Sequence, residues 1–176
     1  WCTYDIRPSN FGYGGTDWFD YPQLALTANY LYVTNNIFDG NFAFQRHTAY
    51  RLSLDGLKAC ESVAAPNWFA NDGYSWAPAN KGAGIVMYLG DQLDSSTFKL
   101  CSNSESDTIL NCSNKTVPTW NFTGATYNCP TPDGRNPCGR LDPRVITGWV
   151  SQPRRQVGFL WTVHEGAGFS FPYLDQ

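Results

Sequence analysis

The chain has 176 residues, of which 42% are hydrophobic, 16% aromatic and only 15% charged, with a net charge of −3. That length allows one domain or a piece of a larger one, and that composition excludes a disordered chain. No basic run beyond Arg154-Arg155 points to nucleic acid, and no apolar stretch approaches the roughly 18 residues of a membrane span.

Sixteen glycines and 11 prolines break the chain too often for long helices, and the apolar residues alternate at period two. Residues 23–27 read as a short strand, with a turn at Ala28-Asn29. Tyr30–Asn35 then reads as its hairpin partner, rich in aromatic and β-branched residues. Thr48–Leu54 alternates again and Asp55-Gly56 ends it; Leu57–Gly73 reads as a loop. Tyr74–Pro78 and Ile85–Leu89 form the next strand pair, and Thr97–Ser102 follows. Residues 102–116 are polar, and Val117–Gly124 carries Trp120 and Phe122 at period two. Cys129–Gly139 is a turn region, because its prolines remove backbone donors. Arg144–Val150 and Val157–Val163 read as strands around a Gln152–Gln156 loop, and an apolar tail, Phe169–Leu174, ends the chain. The expected core is Leu26, Leu31, Val33, Leu52, Leu54, Ile85, Val86, Met87, Phe98, Val145, Phe159, Leu160 and Trp161.

Three of these strand pairs restart in the same way: Gln23–Thr27 with Tyr30–Asn35, Tyr74–Pro78 with Ile85–Leu89, and Arg144–Val150 with Val157–Val163. Self-similarity on this scale predicts an all-β fold of antiparallel β-propeller-like blades, about three and incomplete. A β-sandwich of similar strand count is the alternative. Residues 1–176 are then a single all-β domain or a fragment of a larger β-propeller.

Asp20-Tyr21-Pro22-Gln23-Leu24 followed by Leu31-Tyr32-Val33-Thr34-Asn35 resembles a blade motif of uncharacterised secreted β-propeller proteins, chiefly bacterial. Arg51-Leu52-Ser53-Leu54, Leu141-Asp142-Pro143-Arg144 and Gly158-Phe159-Leu160-Trp161 are similar to the same group. The resemblance covers roughly residues 17–173 with gaps and implies a fold rather than a reaction. A propeller closes with about four to eight blades. The resemblance therefore implies either a longer chain or several copies.

Six cysteines with no CxxC spacing, and two histidines remote from them, read as a disulfide framework in an oxidising compartment rather than a zinc site. Short separations favour Cys101 with Cys112 and Cys129 with Cys138, which leaves Cys2 with Cys60. Sequons at Asn111, Asn114 and Asn121 are candidate glycosylation sites. The expected location is secreted or extracellular, and a chain starting at Trp1 is expected to be a processed or partial product.

No complete catalytic set is present. His164-Glu165 fails as a zinc-protease motif because position 168 is Gly168, and GxSxG is absent. Asp17, Asp20 and Asp39 lie in loops and read as turn caps rather than calcium ligands, as do Asp94 and Asp107. No metal and no cofactor are expected. Trp149 and Trp161 read as core; Trp18 and Trp68 are the better candidates for a ligand surface. The expected function is a non-catalytic β module acting as a scaffold or interaction surface within a larger assembly. The alternative is a carbohydrate-binding module, and less so a carbohydrate-active enzyme. The expected partner is another polypeptide, a copy of the chain or the rest of a longer one, covering Phe169, Phe171, Tyr173 and Leu174; carbohydrate is the other candidate ligand.

Overall fold

The computed structural model describes residues 1–61, 66–70, 72–73, 75–80, 84–119, 131–136, 144–165 and 169–175; for Asn80, 162–165 and 169–175 the description is of backbone only. The architecture is all-β, in two sheets. The first is a meander of β1 (Trp18–Leu26), β2 (Tyr30–Phe38), β3 (Phe44–Ser53) and β4 (Asn67–Ala70), each antiparallel to the next. Tyr21 and Pro22 form a bulge between the paired residues Asp20 and Gln23, with Tyr21 at φ 53°. Proline is tolerated there because an edge-strand bulge needs no ladder bond from it.

The helical content among the described residues is one 3₁₀ turn, Pro8–Phe11, and α1 (Leu54–Lys58). Ser53 caps α1 by accepting the Gly56 N–H at 3.2 Å. The N-terminal segment lies over the outer face of the meander. Ile6, Phe11, Phe19, Leu31 and Leu57 pack there against buried Val33, Tyr50 and Leu52. A Cys2–Cys60 disulfide ties that cover down.

The second sheet has the order β11-β10-β9-β5-β6-β7-β8. Its strands are β5 (Ala77–Asn80), β6 (Val86–Gln92), β7 (Thr97–Ser104), β8 (Asn111–Thr116), β9 (Val145–Ser151), β10 (Gln156–Glu165) and β11 (Phe169–Asp175). Strand β5 joins its halves, antiparallel to β6 and parallel to β9. The second and third expected strand pairs therefore belong to one sheet and are not separate units. Cys101 and Cys112 face each other across β7 and β8 and form the second disulfide. Cys129, Cys138, Trp120 and Asn121 lie outside the described residues.

This sheet curls into a half-barrel. Phe98 on β7 meets Phe159 and Trp161 on β10 at ring distances of 5.2 and 5.4 Å, which a flat sheet would hold far apart. Phe159 fits because glycines face it from two strands. A Cβ on Gly90 of β6 or on Gly148 of β9 would come within 2.6 Å of its ring. The concave core is Ala77, Ala79, Phe98, Val117, Val145, Phe159 and Trp161, and the opposite face of β6 and β7 packs on the meander.

Several expected positions need correction. Leu26 and Ile85 are 54% and 58% exposed. It is Ala25 in β1 and Thr27 just after it that turn inward, and Ile85 lies in the bend before β6. Leu31, Leu54, Val86 and Leu160 are only half-buried. The chain's own tail pairs with β10 as β11.

Substituting Gly90 or Gly148 by Ala should overpack the Phe159 slot and lower stability by about 1–3 kcal/mol. Gly15→Ala, where a Cβ meets nothing within 4 Å, serves as the control and should stay within about 0.5 kcal/mol. Urea unfolding measures both; equal midpoints for the three variants would refute the slot.

Candidate functional site

The two sheets meet along a strip whose middle is apolar (Ala25, Tyr32, Ala49, Trp76, Met87, Leu89 and Cys101) and whose ends are polar. At one end Arg51, from β3, donates to Asn103 Oδ1 at 2.8 Å and to the Ser104 carbonyl at 3.1 Å. The Tyr32 hydroxyl donates to the same Asn103 oxygen at 2.7 Å, and the Asn103 amide donates to the Ile109 carbonyl at 2.7 Å. The guanidinium lies 4.5 Å from the Tyr30 ring and 5.9 Å from that of Trp68. Burial raises the Tyr32 hydroxyl pKa, and Arg51 partly offsets that rise.

At the other end His47 and Asp91 are both fully buried, with Nε2 3.4 Å from Oδ2. The Trp76 ring sits edge-on to the imidazole at 4.6 Å, and Ser75 N–H donates to Asp91 Oδ1 at 3.2 Å. Nearer the surface, Lys99 Nζ lies 2.5 Å from Asp72. Burial pushes the His47 pKa down to about 4; Asp72 pulls it up and Lys99 pushes it down. The Lys99 hydrogen bond lowers the Asp72 pKa. A neutral imidazole beside a carboxyl is acid–base chemistry in principle. Among the described residues neither ring nitrogen makes a hydrogen bond, and both side chains are closed off from solvent.

The candidate tryptophans occupy different settings. Trp68 stacks on Tyr32 at 6.3 Å and donates its indole N–H to the Thr108 carbonyl at 2.8 Å. Trp18 stacks on Phe38 at 5.1 Å and donates to the Asp39 carbonyl at 3.0 Å. Both are half-buried. Around Trp18, however, an aromatic patch forms at the tip of the β2–β3 hairpin. Phe42 is 77% exposed and edge-on to Trp18, while Phe44 is 41% exposed and edge-on to Phe38. Phe42 has φ 65°, a left-handed conformation that costs a non-glycine residue roughly 1–2 kcal/mol. Asp39 holds it there, its carboxylate accepting the Asn41 and Ala43 N–H groups at 2.8 and 3.0 Å. Phe38, Phe42 and Phe44 are additions to the expected surface residues, and their bracketing of Asp39-Gly40-Asn41 is the sequence signal for the patch.

Asp17 accepts the Gly14 N–H at 2.9 Å and Asp94 that of Ser96 at 2.8 Å, so both cap turns. Among the described residues no group of three or more His, Cys, Asp or Glu is placed to hold a metal ion. Asn111 and Asn114 are exposed on the edge strand β8. Among the described residues no helix is long and apolar enough to cross a membrane. No family model matches the chain, and no curated protein or solved structure matches it either.

His47 titrates near its ordinary 6.5 when unfolded and at about 4 when folded. The unfolded chain therefore binds more protons between those values. The corresponding stability is complete above about pH 6.5 and is lost as pH falls towards 4, at most about 3 kcal/mol. His47→Gln should remove that part of the acid slope, whatever it does to stability at neutral pH. Urea unfolding across this window checks it, and parallel slopes for variant and wild type would refute it.

Proposed function

We propose that this is a secreted, non-catalytic β module that contributes an interaction surface to a larger assembly. The observation that carries this reading is the Trp18–Phe38–Phe42–Phe44 patch, where the chain keeps an aromatic side chain in solvent on a strained backbone. Both the exposure and the strain are unfavourable in the isolated domain, and such costs persist where a surface is used. The partner is another polypeptide, either a second copy or the remainder of a longer chain. Two disulfides support an oxidising, extracellular setting.

The resemblance to secreted β-propellers fits the first sheet best. Asp20–Leu24, Leu31–Asn35 and Arg51–Ser53 fall on β1, β2 and β3, and a four-stranded meander is the form of a blade. The curled second sheet lacks that form, and a sandwich of two facing sheets accounts for the packing equally well. A carbohydrate ligand is the second reading, favoured by the exposed ring of Phe42, on which a sugar could stack.

Phe42→Gly relieves the strained backbone and deletes the exposed ring, so stability should stay within about 1 kcal/mol. Sedimentation equilibrium over a range of concentrations should show the wild type associating and the variant shifted towards monomer. Identical behaviour of the two would sink the second copy as the partner. Calorimetric binding of oligosaccharides, lost in the variant, would select the carbohydrate reading instead.

A further inference from the structure

Inside the half-barrel, on a face separate from the aromatic hairpin, a groove of about 470 Å³ opens beside the β9–β10 turn. Its floor is apolar: buried Phe98 and Phe159, and half-buried Leu100 and Val157. Its rim is Lys115 and Thr116 of β8, facing Arg155 and Gln156 of the turn and of β10. A second hollow of about 440 Å³, against Val86, Tyr88 and Val150, shares Arg155, Gln156 and Val157 with the first. Among the described residues no acidic side chain lines either hollow, although the chain has 15 acidic side chains against 12 basic ones.

The two cations come from opposite sides of the half-barrel mouth and neither has an ion-pair partner among the described residues. The turn that carries Arg155 is tight: its N–H donates to the Gln152 carbonyl at 3.1 Å and its φ is 53°. A hollow of this size is in the usual range for small-molecule sites, in which apolar walls take the body of a ligand and a few polar groups fix its orientation. Guanidinium and ammonium groups select an anion, and the guanidinium fork suits a carboxylate.

We infer that this groove binds an amphipathic anion, a free carboxylate with an apolar body, with the carboxylate held between Lys115 and Arg155 and the body laid over Leu100, Val157 and Phe159. The Thr116 hydroxyl and the Gln156 amide supply neutral donors to the same headgroup. The inference is independent of the role of the hairpin patch.

The test is isothermal titration of the full chain with octanoate, decanoate and 1-octanol, each below its aggregation concentration. Saturable binding is expected for both carboxylates. Decanoate should bind more tightly by about four- to fifteen-fold, for two further methylenes partly or fully buried. Octanol should bind at least about tenfold more weakly than octanoate, the loss of a charge-assisted contact. Lys115→Gln with Arg155→Gln should abolish the preference for octanoate over octanol, and Arg7→Gln, a remote surface change, should preserve it. Should the double variant fail to fold by near-ultraviolet circular dichroism, Lys115→Gln alone should reduce the preference. The inference is overturned by an absence of saturable carboxylate binding, by equal affinity for octanol, or by an unchanged preference in the folded variant. Co-sedimentation with anionic vesicles in place of binding to the free carboxylates overturns it as well.

Discussion

Arg51 is taken out of water at the seam between the sheets without an ion pair among the described residues. Burying a guanidinium is costly, and hydrogen bonds to its donors and cover for its faces offset that cost. Nη1 is met by β7, through Asn103 and Ser104, whereas Nε is buried with no hydrogen-bond partner among the described residues, and the rings of Tyr30 and Trp68 that cover the group come from β2 and β4. Sliding one sheet over the other by a residue would strand the charge. The contact therefore fixes one register, and the apolar strip and the enclosed His47–Asp91 pair follow from it. Glu105 reinforces that register by accepting both the backbone and the side-chain N–H of Asn29, which ties the β1–β2 turn to the end of β7.

The cover on the outer face of the meander explains where the molecule is left open. Residues from Ile6 to Phe11 screen Val33, Tyr50 and Leu52, and the Cys2–Cys60 link prevents that screen from peeling away. Leu24 and Leu26 of the edge strand remain exposed, as does Phe42 at the hairpin tip. Scattered leucines on a surface are ordinary. A cluster of four aromatic rings with its backbone pinned by Asp39 is not, and this difference separates the hairpin from the rest of the apolar surface.

Much of the fold was legible because half-buried strands write their pattern at period two. The strands from Tyr30, Thr48, Thr97, Arg144 and Val157 all carried it, and each contributes to a strand of the structure. Strand β8, Asn-Cys-Ser-Asn-Lys-Thr, carried no such signal: all six residues are exposed, so no face selects apolar side chains. Strand β4 is too short to show a period, and its place is held by Trp68. The polar seam was illegible for a different reason. His47 and Asp91 belong to no spacing motif and meet only because β3 and β6 are packed face to face. Trp18 lies in the aromatic patch, whereas its phenylalanine neighbours came together only once the hairpin closed.

Strand β5 is the narrowest part of the second sheet. Ala77 and Pro78 pair with β6, and Ala79 and Asn80 with β9, two residues on each side. The partner on one side is reached within the next strand, whereas the partner on the other lies some 70 residues further along, at Gly148 and Trp149. A parallel pairing over such a separation must overcome loop-closure entropy before its contacts contribute. Loop closure thus favours an order of assembly in which the meander and β6–β8 form from neighbouring segments before the β9–β10 hairpin docks onto β5. Until it docks, Phe98 has no ring to meet, and the concave face of the half-barrel is the surface on which a growing chain is most exposed to misassembly.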